Sequence, residues 1–220
     1  MSSDPLPDVF ECLRFLWQGV DAAIFRHDSI DECWESRWWW IGEFDVSLTD
    51  QQKKEYAEDR KKTREHVVNL EMSQAVIGQS LIIALDKIIK SVAHTIANSN
   101  VGPTVPPHSF PLSKSQADPQ ADPQYWANSV RVAANYVRHG REWKIEQMKL
   151  ATERGADPVV ADFGQPRVRD NLESLCRILA TDVSGVLKYD ISYRLAERLG
   201  LTDHKVTQTN FFAWKQAAGF

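Results

Sequence analysis

Gln74-Ala75-Val76-Ile77-Gly78-Gln79-Ser80-Leu81-Ile82-Ile83-Ala84-Leu85-Asp86-Lys87-Ile88-Ile89-Lys90-Ser91-Val92-Ala93-His94 is the stretch on which the fold turns. It is far longer than a strand, holds no proline, and is apolar almost all round a helical cylinder. That pattern predicts a central, buried helix. Upstream, Thr49-Asp50-Gln51-Gln52 matches a capping box, with Thr49 at the N-cap and Gln52 at N3. The turns over residues 53–64 are nearly all charged and are expected in solvent. No proline follows Thr49 until Pro103. A single helix of that extent would run about 70 Å, so a break is expected near residues 62–66 or at Gly78. His66 and His94 read as hydrogen-bonded structural histidines rather than ligands.

Farther upstream, Pro7-Asp8 opens an expected helix over residues 9–26, whose apolar residues recur at i, i+3, i+4 and i+7. Trp34, Trp38, Trp39 and Trp40 hold half of the eight tryptophans within one short segment. One reading is a platform on which bases or sugars stack. The preferred one is a helix end wedged into a core with Arg37 across a ring, because large aromatics mostly serve packing.

Downstream, residues 99–122 carry Gly102-Pro103, Pro106-Pro107, Pro111 and the first part of a tandem Gln-Ala-Asp-Pro. Prolines stop helices and favour extended chain, so this is read as a flexible loop inserted in one helical domain spanning residues 1–220. Asp122 and Pro123 then supply an N-cap and N1 for a helix to about residue 154, with Gly140 as a weak point and Gly155 to Pro158 as the stop. A helix over 167–187, another over 192–199 and a last one over 203–217 complete the expectation: an all-α bundle with long central helices and a proline-rich loop insertion.

Composition narrows the function classes. A net charge of −4 excludes a nucleic-acid binder working by bulk charge, though not a local basic patch. Three widely spaced cysteines without a CxxC fit reduced thiols in a cytoplasm. No basic-then-apolar leader opens the chain, and no apolar run of about 18 residues occurs, so neither secretion nor a membrane span is expected. The six histidines are scattered without HExxH spacing, and GxSxG, P-loop and GxGxxG motifs are absent. The expectation is therefore no metal and no cofactor.

Chemical capacity gathers on Ser129 to Trp143. At 100° per residue, Trp126, Val130, Ala133, Ala134 and Val137 form one apolar stripe. Arg131, Asn135, His139 and Glu142 fall opposite, flanked by Val132, Tyr136 and Trp143. Polar chemistry set among aromatics predicts a face that meets a partner helix, a second copy of the chain, or a ligand.

Within it, Ala134-Asn135-Tyr136-Val137-Arg138-His139 resembles the motif of the HEPN superfamily: arginine, a polar residue, three or more variable residues, then histidine. Asn135 and His139 match; Ala134 stands where the arginine should be. The resemblance covers about ten residues. It implies a small all-helical, usually dimeric protein of a bacterial toxin–antitoxin, antiphage or stress system, with metal-independent endoribonuclease activity in many members. It further implies His139 as general acid or base toward a ribose 2′-hydroxyl, Asn135 as orienting residue, and Arg131 or Arg138 as substitute phosphate clamp. The bland account of Asn135 and His139 is a hydrogen bond between residues one turn apart.

A second constellation lies within residues 189–220. Ala196, Gly200 and Val206 have the A-x3-G-x5-V spacing of a helix-turn-helix. Its second helix would present His204, Lys205, Thr207, Gln208 and Asn210 to DNA, with Lys205, Gln208 and Asn210 as candidate contacts. Phe211, Phe212 and Trp214 argue instead for a hairpin that closes the bundle. The leading expectation is an RNA-binding or RNA-cleaving protein, possible degeneration of its site included. The alternatives are a DNA-binding regulator and a structural interaction module. The expected partners are a second copy or a helical protein, then RNA, then DNA, and no membrane.

Overall fold

A computed structural model describes residues 49–98, 123–187 and 190–217. The expected helix over 9–26, the tryptophan-rich segment and the proline-rich loop lie outside them. Every regular element among the described residues is helical: α1 (Asp50–Asn98), α2 (Pro123–Arg154), a 3-10 turn (Val160–Asp162), α3 (Pro166–Leu179), α4 (Val183–Leu187), α5 (Ser192–Arg198) and α6 (His204–Ala217). The fold is all-α, as the periodicity predicts. No helix among them is long and apolar enough to cross a membrane.

α1 starts at the expected capping box. Gln52 N–H donates to Thr49 Oγ1 at 3.3 Å, and Thr49 N–H donates to Gln52 Oε1 at 3.0 Å, which satisfies two donors that a helix end leaves open. From there α1 is one helix of 49 residues, and the expected break does not occur. Gly78 is a point of contact, not a hinge. A Cβ at 78 would lie 2.7 Å from the Cα and N of Tyr193, so the missing side chain is what lets the α5 backbone touch α1.

The second correction concerns burial. α1 is not buried all round: Leu81, Ile82, Leu85, Ile89 and Ala93 make one buried stripe, while Val68, Met72 and Val76 are exposed. The helix enclosed over its first half is α2, which touches α1, α3, α4, α5 and α6. Residues 125–130 of α2 are buried at every position, and Trp126 donates its indole N–H to the Leu199 carbonyl at 2.9 Å. Gly140 does not weaken α2, because the Tyr136 ring covers it. Gly155, at φ 67°, ends the helix where expected.

The predicted helix over 167–187 is two helices. Ala180 adopts the left-handed conformation, φ 50°, and closes α3, and Thr181 N–H reaches back to the Cys176 carbonyl at 3.0 Å. Asp182 then starts α4 by accepting from Gly185 N–H at 2.7 Å. Asp203 caps α6 in the same way through Lys205 N–H, at 2.8 Å.

Candidate functional site

α2 is the element that positions the predicted site, because its apolar side is locked into the core. Val130, Ala133 and Ala134 are fully buried, and so are most of the flanking Val132, Tyr136 and Trp143. The polar arc does not face a single partner. Asn135 turns to α3, Arg138 beside the arc turns to α1, and His139 and Glu142 stay at the surface.

Arg138 turns to α1. Its Nη2 lies 2.5 Å from Asp86 Oδ2, and Lys90 Nζ reaches the same oxygen at 2.7 Å. The Asp86 side chain is 2% exposed. A buried carboxylate is strongly disfavoured unless charge and hydrogen bonds compensate it, and here Arg138 and Lys90 do so. Arg138 therefore ties α2 to α1, and the guanidinium expected as a substitute clamp beside His139 is engaged by Asp86.

Asn135 turns to α3. Its Nδ2 donates to Asn171 Oδ1 at 3.2 Å, and Asn171 Nδ2 donates in turn to the Arg167 carbonyl at 2.6 Å. The amide of Asn135 is thus held by another helix of the same chain, so this part of the face expected to meet a partner is covered from within. Lower on α2, Glu146 Oε1 accepts from Gly164 N–H at 3.2 Å.

His139 stays at the surface, with half of its side chain exposed. Its Nδ1 faces Glu142 Oε2 at 3.3 Å. The imidazole lies nearly parallel to the Trp143 ring, with centroids 6.5 Å apart and planes 23° from each other, and Tyr136 meets Trp143 edge-on at 6.4 Å. A buried tryptophan thus backs the imidazole on one side while solvent reaches the other. In the tautomer that carries its proton on Nδ1, that N–H donates to Glu142 and Nε2 is a hydrogen-bond acceptor.

Tyr136 is not a free acid beside this pair. Burial, reinforced by the charge of Asp190 and opposed by a backbone hydrogen bond with Ile191, pushes its hydroxyl up to about 12. Ala134, the position of the missing arginine, is 0% exposed, so an arginine in that register would enter the core. Arg131 is half-buried on the same arc.

The second candidate surface has the predicted turn. Ala196 is fully buried, Gly200 has φ 71°, and Val206 Cγ1 sits 2.5 Å from where a Gly200 Cβ would be. Of the residues expected to reach DNA, Lys205 and His204 are exposed and Gln208 is half-buried. Thr207 is not available, being buried with its hydroxyl donating to the Gly200 and Asp203 carbonyls. Asn210 is half-buried and turned toward the turn, 3.6 Å from that same Cβ position. Thr207, Phe211 and Trp214 form the buried face of α6, and α6 packs on α2.

No family model, curated protein or solved structure matches this chain. Sequence reasoning missed Asp86 and Asn171. The first had a readable signal, a lone acid within the apolar run Ile82 to Ile89. The second had none.

Proposed function

We propose that this chain is a HEPN-like helical protein of a bacterial conflict or stress system that binds RNA over the face of α2 carrying His139, at a catalytic centre weakened by loss of the motif arginine. The observation that carries this reading is the His139–Glu142 pair, an exposed imidazole beside a carboxylate and backed by a tryptophan, on a helix whose first half is buried. Such a pair sets the tautomer that a general base needs. In a cleavage step, His139 Nε2 takes the proton of a ribose 2′-hydroxyl. The freed oxygen attacks the adjacent phosphorus, and the 5′-oxygen leaves with a proton from solvent. Charge building on the phosphate then calls for a cation, which neither Ala134 nor the engaged Arg138 supplies.

The test uses a labelled single-stranded RNA and the whole chain, alone and with the products of neighbouring genes. His139→Ala should lose cleavage and weaken binding while the melting temperature stays within about 2 °C, as expected of an exposed side chain. Asn135→Ala should weaken the same activity less. A wild-type chain that neither binds nor cleaves RNA would reject the proposal.

A DNA-binding role for residues 192–214 is the second reading, favoured by the close Gly200–Val206 turn and by outward-facing Lys205. It requires that Lys205→Ala weaken binding to duplex DNA.

A further inference from the structure

We infer that Arg167, on α3, is the cation that holds the RNA phosphate beside His139, in place of the arginine missing at position 134. This rests on the proposed RNA site.

Two contacts fix the relation of α3 to the polar arc of α2. Asn135 bonds to Asn171 at one end, and Glu146 bonds to Gly164 at the other. The chain from 164 to 171 therefore runs antiparallel to α2 from 146 to 135. His139 and Glu142 lie between those two points on α2, and Arg167 lies between them on the opposing segment. On α3, Arg167 is one turn before Asn171, so both side chains leave the same side of the helix. Asn171 holds that turn directly through the Arg167 carbonyl. Val168, beside it, is buried and anchors the turn to the core.

The charge of Arg167 is available. It is exposed, and its guanidinium makes no ion pair among the described residues. Other arginines nearby are engaged or turned away, Arg131 being half-buried and engaged in an interaction of its own. Arg138 is held by Asp86, Arg154 pairs with Asp162, and Arg177 pairs with Glu173. Arg169 is two residues from Asn171 and leaves the far side of α3. Arg141 is two residues from His139 and leaves the far side of α2. A planar guanidinium suits a phosphate through two parallel hydrogen bonds. The pairing thus sets a base and a phosphate cation on two helices joined by the Asn135–Asn171 bond.

The experiment measures binding of a labelled single-stranded RNA to wild type, His139→Ala, Arg167→Ala, Arg167→Lys and, as a charge-matched control, Arg141→Ala, over a range of salt. Arg167→Ala should weaken binding on the order of tenfold and reduce the log–log salt slope by about 0.7, the value of one phosphate contact on a single strand. Arg167→Lys should restore the slope but not the full affinity, and Arg141→Ala should leave both unchanged. Melting temperatures should match throughout. If wild type binds and His139→Ala weakens it while Arg167→Ala matches Arg141→Ala, the inference is overturned and the RNA site stands. If wild type binds no RNA, both fall.

Discussion

Truncating Arg138 to alanine is expected to unfold the junction of α1 and α2 rather than disarm a site. Asp86 is held by two cations through one oxygen, and only its side chain is buried: Arg138 is 34% exposed and Lys90 47%. Breaking a fully buried pair from one side costs about 3–5 kcal/mol. Lys90 remains and both cations see solvent, so a smaller cost of about 2 kcal/mol is expected for Arg138→Ala. Lys90→Ala, the more exposed partner, should cost about 1 kcal/mol or less. The double change Asp86→Leu with Arg138→Leu should recover most of the loss, because it removes the stranded charge together with its partner. Urea unfolding followed by circular dichroism measures these proteins beside wild type, and the single changes Asp86→Leu and Arg138→Leu complete the double-mutant cycle that isolates the pair. If Arg138→Ala keeps wild-type stability within about 0.5 kcal/mol and instead weakens RNA binding, Arg138 belongs to the site and the structural assignment fails.

Ala134→Arg should not restore a phosphate clamp: the side chain enters a fully buried position, and overpacking plus a buried charge should destabilise by about 3 kcal/mol or more, read as a lower melting temperature. At alkaline pH, stability should fall as Tyr136 ionises. Its folded pKa of about 12 lies above the ordinary value of 10, so its contribution is complete below pH 10, is lost between there and about 12, and amounts to up to about 3 kcal/mol. Tyr136→Phe should flatten that part of the profile. The Cys176 thiol, raised to about 11 first by burial and then by the charge of Asp182, should alkylate at pH 8 far more slowly in the folded chain than in urea, measured on its own peptide by mass spectrometry. Light scattering tests the homodimer that the resemblance implies; a mass of 25.1 kDa at micromolar concentration would exclude it.

What the sequence made legible is what neighbouring residues decide. The Thr49–Gln52 box, the stop at Gly155 and the Ala196–Gly200–Val206 turn each depend on a few adjacent positions, and each stands as read. The split between α3 and α4 was legible as well, since Thr181-Asp182 is an ordinary helix start, but the apolar rhythm running through it concealed the break. The role of Gly78 was not legible. A glycine in a helix reads as a weak point until the element pressing on it is known, and Tyr193 lies far along the chain. The polar arc of α2 failed for the same reason. Its residues were assigned to one surface with Arg138 as a substitute clamp beside it, yet Asn135 answers to Asn171, 36 positions away, and Arg138 to Asp86, 52 positions away. His139 and Glu142 kept the exposed place their spacing suggested.

Gly78 and Gly140 also differ in how a population of variants can escape from losing them. At Gly140 the obstacle to a new methyl group is the Tyr136 ring, with Cε2 at 2.9 Å. A side chain can be exchanged, so Gly140→Ala admits a suppressor, a smaller residue at 136. At Gly78 the obstacle is backbone, the Cα and N of Tyr193 at 2.7 Å and the Ser192 carbonyl carbon at 2.8 Å. No replacement at 192 or 193 removes those atoms. A selection for revertants of Gly78→Ala should therefore return glycine at 78, or changes that move α5 as a body, whereas one for Gly140→Ala should also return single substitutions at Tyr136.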